Sequence, residues 1–205
     1  MPAEWRLVRK LDTPVKVQRY FSAMPYNREE FGGPLRSFRE VLKRGEAHCL
    51  EAALSAAVIL EQHGYPPLLL DIESWDLLDH VMFVYQKNNL WGSIARSRDI
   101  GLHGRKPVFR SLRDLVWSYF DPYVDFTGRI KGYALANLYD LGDYDWRFSS
   151  RRMLRIENHL REIAHVTIKS SDHRYERLRR RYQLYKQRFP DRSPRYYENR
   201  GQWLL

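Results

Sequence analysis

Hydrophobic positions recur at helical spacing in some stretches of the chain and form short unbroken blocks in others. From Thr13 onward, Val17, Tyr20, Phe21 and Met24 share one helix face, with Thr13 as cap and Pro14 at the first helical position. "PYNREEFGGP" breaks that spacing and reads as a loop ending in Gly32, Gly33 and Pro34. In "LRSFREVLKRG", Leu35, Phe38, Val41 and Leu42 fall on one side and Gly45 is the stop. A third helix starts near His48 or Cys49, carries Leu50, Ala53, Leu54, Ala57 and Val58 at helical spacing, and closes at Gly64. Its many alanines predict close packing. After Pro66 and Pro67, "LLLDI" is an apolar strand, "DHVMFVYQ" a second and "LWGSIA" a third, with "KNN" turning the last two into a hairpin.

"SLRDLVWSYFDPY" returns to helical spacing with Leu112, Leu115, Val116 and Tyr119 inward. "DFTGRIKGYALANLYDLGDYDW" is rich in Gly and Asp and reads as irregular. Beyond Ser149 the text becomes basic helices. Met153, Ile156, Leu160 and Ile163 mark one stripe, and Tyr175, Leu178, Tyr182, Tyr185 and Phe189 another, until Pro190 and Pro194 end the helix. Helices combined with a small hairpin-built sheet make the fold class α+β.

Charge sharpens this division. Residues 151–205 hold 15 Lys+Arg against 6 Asp+Glu, so almost all of the formal +10 lies in the last quarter. We therefore divide the chain into residues 1–148 and a basic helical extension, 149–205. No apolar run approaches the roughly 18–20 residues of a membrane span. "MPAEWRLVRK" has no apolar segment behind its charges, so no secretory leader is expected. A single cysteine makes no intrachain disulfide and fits a reducing compartment, so the expected location is cytoplasmic.

That cysteine, Cys49, stands at the predicted start of the alanine-rich helix. Unpaired backbone N–H groups give a helix start partial positive charge, which favours a thiolate and can hold an oxyanion. His80 begins the second strand, where an imidazole could face the helix end as general base. If the hairpin turns at Asn88, Ala95, Arg96 and Ser97 lie opposite His80, and none is a carboxylate. Ser97 and Asp99, two residues further, are the candidates for a third member. A hydroxyl or a backbone carbonyl can also orient an imidazole.

The text "AHCLEAALSAAVILEQHGYPPLLLDI" and "DHVMFVYQKNNLWGSIARS" resembles the transglutaminase-like superfamily, with its papain-like cysteine-protease architecture. The resemblance implies a core of N-terminal helices packed on a small antiparallel sheet, with Cys49 as nucleophile and His80 as base. Ala95 stands where that superfamily carries its strand Asp. The chain is more similar still to a bacterial group of uncharacterised transglutaminase-like proteins, through "TPVKVQ", "MPYN", "AHCLEAA", "PLLLDI", "DHV", "WGSIARS" and "RKPVFRSLRDLVWSYF", spanning about residues 11 to 133. Arg98 replaces the Asn usual there after the serine. The implied activity is cysteine-dependent acyl transfer, either hydrolysis of an amide or peptide or transfer to an amine. The alternatives are a non-catalytic protein-binding module on the same scaffold and a nucleic-acid binder acting through the basic helices.

Other residues are weighed against plainer roles. Asn27 is a candidate for the oxyanion site, against a turn-forming asparagine. Trp91 is a candidate site wall, against strand packing. His48 should point away from Cys49, as helix neighbours do. Glu51 should cap the helix and oppose ionisation of the thiol. Paired metal-ligand spacing is absent, so neither a metal nor a cofactor is expected. In "HRYERLRRRYQLYKQRF", Arg177, Arg180, Arg181, Lys186 and Arg188 could follow a phosphate backbone or an acidic partner. The plainer reading docks the tyrosines and leaves the arginines in water.

Overall fold

A computed structural model describes residues 3–28, 34–149, 151–197 and 199–205. Gly32 and Gly33 of the expected loop lie outside the described residues. In chain order the elements are α1 (Ala3–Lys10), α2 (Pro14–Ala23), α3 (Phe38–Arg44), α4 (Cys49–Glu61), β1 (Leu68–Ser74), β2 (His80–Lys87), β3 (Leu90–Ile94), β4 (Arg105–Phe109), α5 (Leu112–Tyr123), β5 (Ile130–Asn137), α6 (Leu154–Glu162), β6 (Val166–Thr167), α7 (Asp172–Arg188) and α8 (Arg200–Trp203). Short 3-10 turns cover Ile100–Leu102 and Leu138–Leu141.

The fold is α+β. Its strands form an antiparallel sheet in the order β4-β3-β2-β1-β5-β6. Side chains alternate across it into two cores. Leu69, Val81, Phe83 and Tyr85 face α4, together with Val17, Phe21 and Phe38 from other helices and Met153 at the entry to α6. Leu70, Ile72, Met82 and Val84 face the opposite layer, built by Leu115, Val116, Tyr119 and Phe120 of α5 and Leu178 of α7. A strand buried on both faces has no polar side, which is why Val81 to Tyr85 reads as an unbroken apolar block. Helix α4 is buried all round from Glu51 to Leu60, and its alanines let sheet and helices approach from every side.

Local signals place several ends. Thr13 accepts from Lys16 N at the start of α2, and Ser37 from Glu40 N at the start of α3. Gly45 ends α3 with φ 70°, a conformation that favours glycine. The β2–β3 turn carries positive φ at Asn88 and Asn89, as a tight hairpin needs.

Several elements differ from expectation, among them strand β6 inside the basic stretch and helix α8 beyond Pro194. Residues 130–137 form strand β5, whose "IKGYALAN" alternates buried and partly exposed positions; its Gly and Ala weaken the apolar signal, and pairing with β1 holds it. Strand β4, "RKPVF", contains a proline and pairs at the sheet edge. Helix α1 is short and half charged, and among its described side chains only Val8 is deeply buried. From the basic extension, β6 joins β5, while Met153, Ile156 and Leu160 enter one core and Ile168 and Leu178 the other. Among the described residues no helix is long and apolar enough to cross a membrane.

Candidate active site

The start of α4 is stapled from several directions. Ala47 donates its N–H to Pro25 O at 3.2 Å and accepts from Asn27 N at 3.2 Å, which anchors the segment entering the helix. His48 is the cap, with extended backbone; its Nδ1 accepts from Leu50 N at 3.2 Å. Glu51 closes a capping box by accepting from His48 N at 3.0 Å. The Glu51 carboxylate is fully buried and also accepts from Asn27 Nδ2 at 3.2 Å and Arg36 N at 3.4 Å, with Arg36 Nε 3.5 Å away. Cys49 therefore takes the first helical position on a rigid frame, and it remains partly exposed.

His80 reaches the same place from the sheet. It opens β2 and is 4 % exposed. Its Nε2 lies 2.9 Å from the carbonyl oxygen of Leu102. A carbonyl only accepts, so that nitrogen carries the proton and Nδ1 is the basic nitrogen left for the sulfur. Burial pushes the Cys49 thiol up. Hydrogen bonds to His48 and His80, with the charge of both rings, outweigh it and bring the thiol down to about 5. His48, expected to point away, is near enough to lower the thiol, while its Nδ1 accepts from Leu50 N and its Nε2 lies 3.6 Å from Glu51 Oε1. A cap residue lies outside the helical spiral, so its side chain folds back over the first turn.

The carbonyl that holds His80 arrives through a detour. The register Phe83↔Ile94 continues to put Ser97 opposite His80, but β3 ends at Ile94. Gln18 of α2 takes over as a false strand: its Oε1 accepts from Ala95 N at 2.9 Å and its Nε2 donates to Ala95 O at 2.9 Å. Arg96 then donates to Met24 O at 2.9 Å, and His103 bridges Ser22 Oγ at 3.2 Å and Ser97 O at 3.0 Å. The segment returns so that Leu102 O lands on the imidazole. A Cβ at Gly104 would lie 2.2 Å from Gln18 Oε1 and 2.4 Å from Ser93 O, so this crossing needs glycine.

The remaining candidates do not complete a triad. Ser97 and Asp99 line the same cavity as Cys49 and His80, a space of about 410 Å³, yet neither holds the ring. Ser97 Oγ accepts from Asp99 N at 3.2 Å, and Leu102 O occupies Nε2 in their stead. Burial raises Asp99 to about 6, opposed by a hydrogen bond to Ser193. Asn27 also lines the cavity, but its amide donates to Glu51. Trp91 is not a wall of the site. It pairs with Gln86 at the far end of the hairpin and packs in the α5-side core, because β3 begins where β2 ends. Of the tail cations, Arg177 and Arg181 line a separate cavity, Lys186 donates to Pro190 O at 2.5 Å, and Arg180 and Arg188 are exposed.

Two side chains missing from the sequence-based set sit on the other flank of the thiol. Asp71 Oδ2 lies 3.3 Å from His165 Nε2, and both line a second cavity, about 360 Å³, that also reaches Cys49. Burial lifts Asp71 to about 6, with the Asp79 charge adding to it and His165 opposing. The signal was the lone acid inside "LLLDI". Among the described residues no group of three or more His, Cys, Asp or Glu could hold a metal ion. No protein-family model matches the chain, and no curated protein matches it in sequence.

Proposed function

We propose that this chain is a cysteine-dependent acyl-transfer enzyme on a papain-like, transglutaminase-like scaffold. The observation that carries the reading is geometric: Cys49 opens α4 and lines one cavity with His80, whose ring is anchored by Leu102 O, and hydrogen bonds to His80 and His48 bring the thiol down to about 5. The Cys49 thiolate attacks the carbonyl carbon of an amide or ester. The oxyanion that forms takes the Cys49 N–H, one of the helix-start donors with no acceptor inside the helix. His80, protonated at Nδ1, gives that proton to the leaving amine or alcohol as the carbon–nitrogen or carbon–oxygen bond breaks, leaving an S-acyl cysteine. Water or an amine then attacks the thioester while Nδ1 takes its proton, and the thiolate is released.

A backbone carbonyl replaces the orienting carboxylate of a full triad. It fixes tautomer and ring direction but brings no full negative charge to stabilise the imidazolium. The reading therefore expects a reactive thiol with modest turnover.

The test has two arms. Iodoacetamide labelling of Cys49 should proceed below pH 7, far under the ordinary thiol midpoint near about 8.5. An activated aryl ester, p-nitrophenyl acetate, should acetylate Cys49 in an initial burst that His80→Asn slows by about 10²–10⁴-fold. Labelling at the ordinary midpoint with no acetyl-enzyme would leave a non-catalytic module.

A further inference from the structure

On the far side of the sheet, α5, α7 and the C-terminal segment enclose a cavity of about 540 Å³. One wall is a stripe of guanidiniums on α7, Arg174, Arg177 and Arg181, which the spacing of three and four residues puts on a single helix face. The aromatic side chains Trp117, Tyr197 and Trp203 share the lining, with the Arg174 guanidinium over the Trp117 ring at 5.2 Å. Among the described residues Asp121 is the one carboxylate in the lining. It pairs with Arg174 at 2.8 Å and more distantly with Arg181 at 3.8 Å. Arg177 is exposed and has no acidic partner among the described residues. Arg181 Nε is buried with no hydrogen-bond partner among the described residues.

A fourth guanidinium stands behind the aromatic wall. Arg105 is wholly buried, stacked between Tyr119 at 3.7 Å and Trp203 at 4.2 Å. Among the described residues its side-chain N–H groups donate to neutral acceptors: Ser118 Oγ at 3.1 Å, Ser118 O at 3.3 Å, Gly101 O at 2.7 Å and His103 O at 2.5 Å. Burial lowers it to about 10, so it stays cationic at neutral pH. Several guanidiniums around one carboxylate repel each other in a partly desolvated space, and an anion relieves that repulsion. Planar guanidiniums match phosphate oxygens in pairs, and aromatic walls favour a flat ring. The volume lies within the range of small-ligand sites.

We infer that the cavity between α5 and α7 binds a nucleoside phosphate, its phosphate on Arg177 and Arg181 and its base against the aromatic wall. The ligand is either a free nucleotide or the 5′-phosphorylated end of a single strand. This site is separate from Cys49 and does not depend on the acyl-transfer reading. It also revises the picture of the tail as a track for a long phosphate backbone, since the pocketed cations are Arg174, Arg177 and Arg181.

The experiment is titration of the full chain, followed by tryptophan fluorescence, with AMP, adenosine, inorganic phosphate and a short 5′-phosphorylated single strand. AMP should bind saturably at or below about 100 μM, with adenosine and inorganic phosphate each at least about tenfold weaker. Arg177→Gln, an exposed position, should weaken AMP about tenfold or more while leaving melting temperature and Cys49 labelling unchanged. A strand that competes with AMP and binds more tightly identifies a nucleic-acid end as the source; the reverse order identifies the free nucleotide. Inorganic phosphate binding as well as AMP, affinity unaltered by Arg177→Gln, or no saturable binding of AMP or strand would each overturn the inference.

Discussion

Two imidazoles lie against one sulfur, and they are not equivalent. His80 is held from outside by Leu102 O, whereas His48 is part of the helix start it caps. His48→Asn keeps a good cap residue and removes the ring. Stability in a denaturant titration should stay within about 1 kcal/mol, because Asn is among the strongest caps. The labelling midpoint of Cys49 should rise. An unmoved midpoint would reduce His48 to a cap. Asp99 gives a second test. Its pKa is raised from 3.8 to about 6 in the folded protein, so the folded state binds the proton more tightly than the unfolded one. Stability is therefore highest below about pH 4 for this group and is lost as pH rises through about 6. Asp99→Asn should stabilise at pH 7 by about 1–3 kcal/mol and by about 0.5 kcal/mol or less at pH 4 and below, read from melts at the two pH values. Cys49 and His80 were legible because their chemistry belongs to side chains at recognisable element starts. Leu102 was not, since it acts through a carbonyl that every residue possesses.

At the scale of elements, the hairpin and its register followed from "KNN" and the flanking apolar blocks, and Ser97 does fall opposite His80 by that count. What the pattern could not carry is where a strand stops being a strand. Gln18 ends β3 early by taking both backbone groups of Ala95, a contact across 77 residues that no local spacing encodes. Strand β5 was obscured differently: three of its four buried positions, Gly132, Ala134 and Ala136, are small, Ile130 being the fourth, and small residues hide an inward face. Gln18→Glu isolates the clamp. A carboxylate still accepts from Ala95 N but cannot donate to Ala95 O, and a lost buried hydrogen bond costs about 1–3 kcal/mol. The 95–104 segment should loosen, Leu102 should leave His80, and acetylation of Cys49 should slow more than labelling by iodoacetamide, which needs only the thiolate. Destabilisation with acetylation unchanged would mean that Gln18 supports the fold without positioning the base.

At the scale of the whole molecule, charge and packing divide the chain differently. Composition draws a line near residue 148, because the arginines lie beyond it. The cores draw none there: Met153 and Ile156 are fully buried against α4-side residues, with Leu160 beside them, and Ile168 and Leu178 fill the opposite core. Burying a large aliphatic side chain contributes about 1.5–3 kcal/mol, so these residues together contribute about 10 kcal/mol. That is comparable with the whole stability of a typical domain, about 5–15 kcal/mol. A chain ending at Phe148 would also lose β6 from the edge of β5 and the Arg129–Asp172 pair at 2.8 Å. Truncation there should therefore give a protein without a cooperative thermal transition, exposing apolar surface on both sides of the sheet. A sharp melt and native-like thiol labelling in the truncated chain would show instead that the first 148 residues fold alone and that the basic helices are an appendage after all.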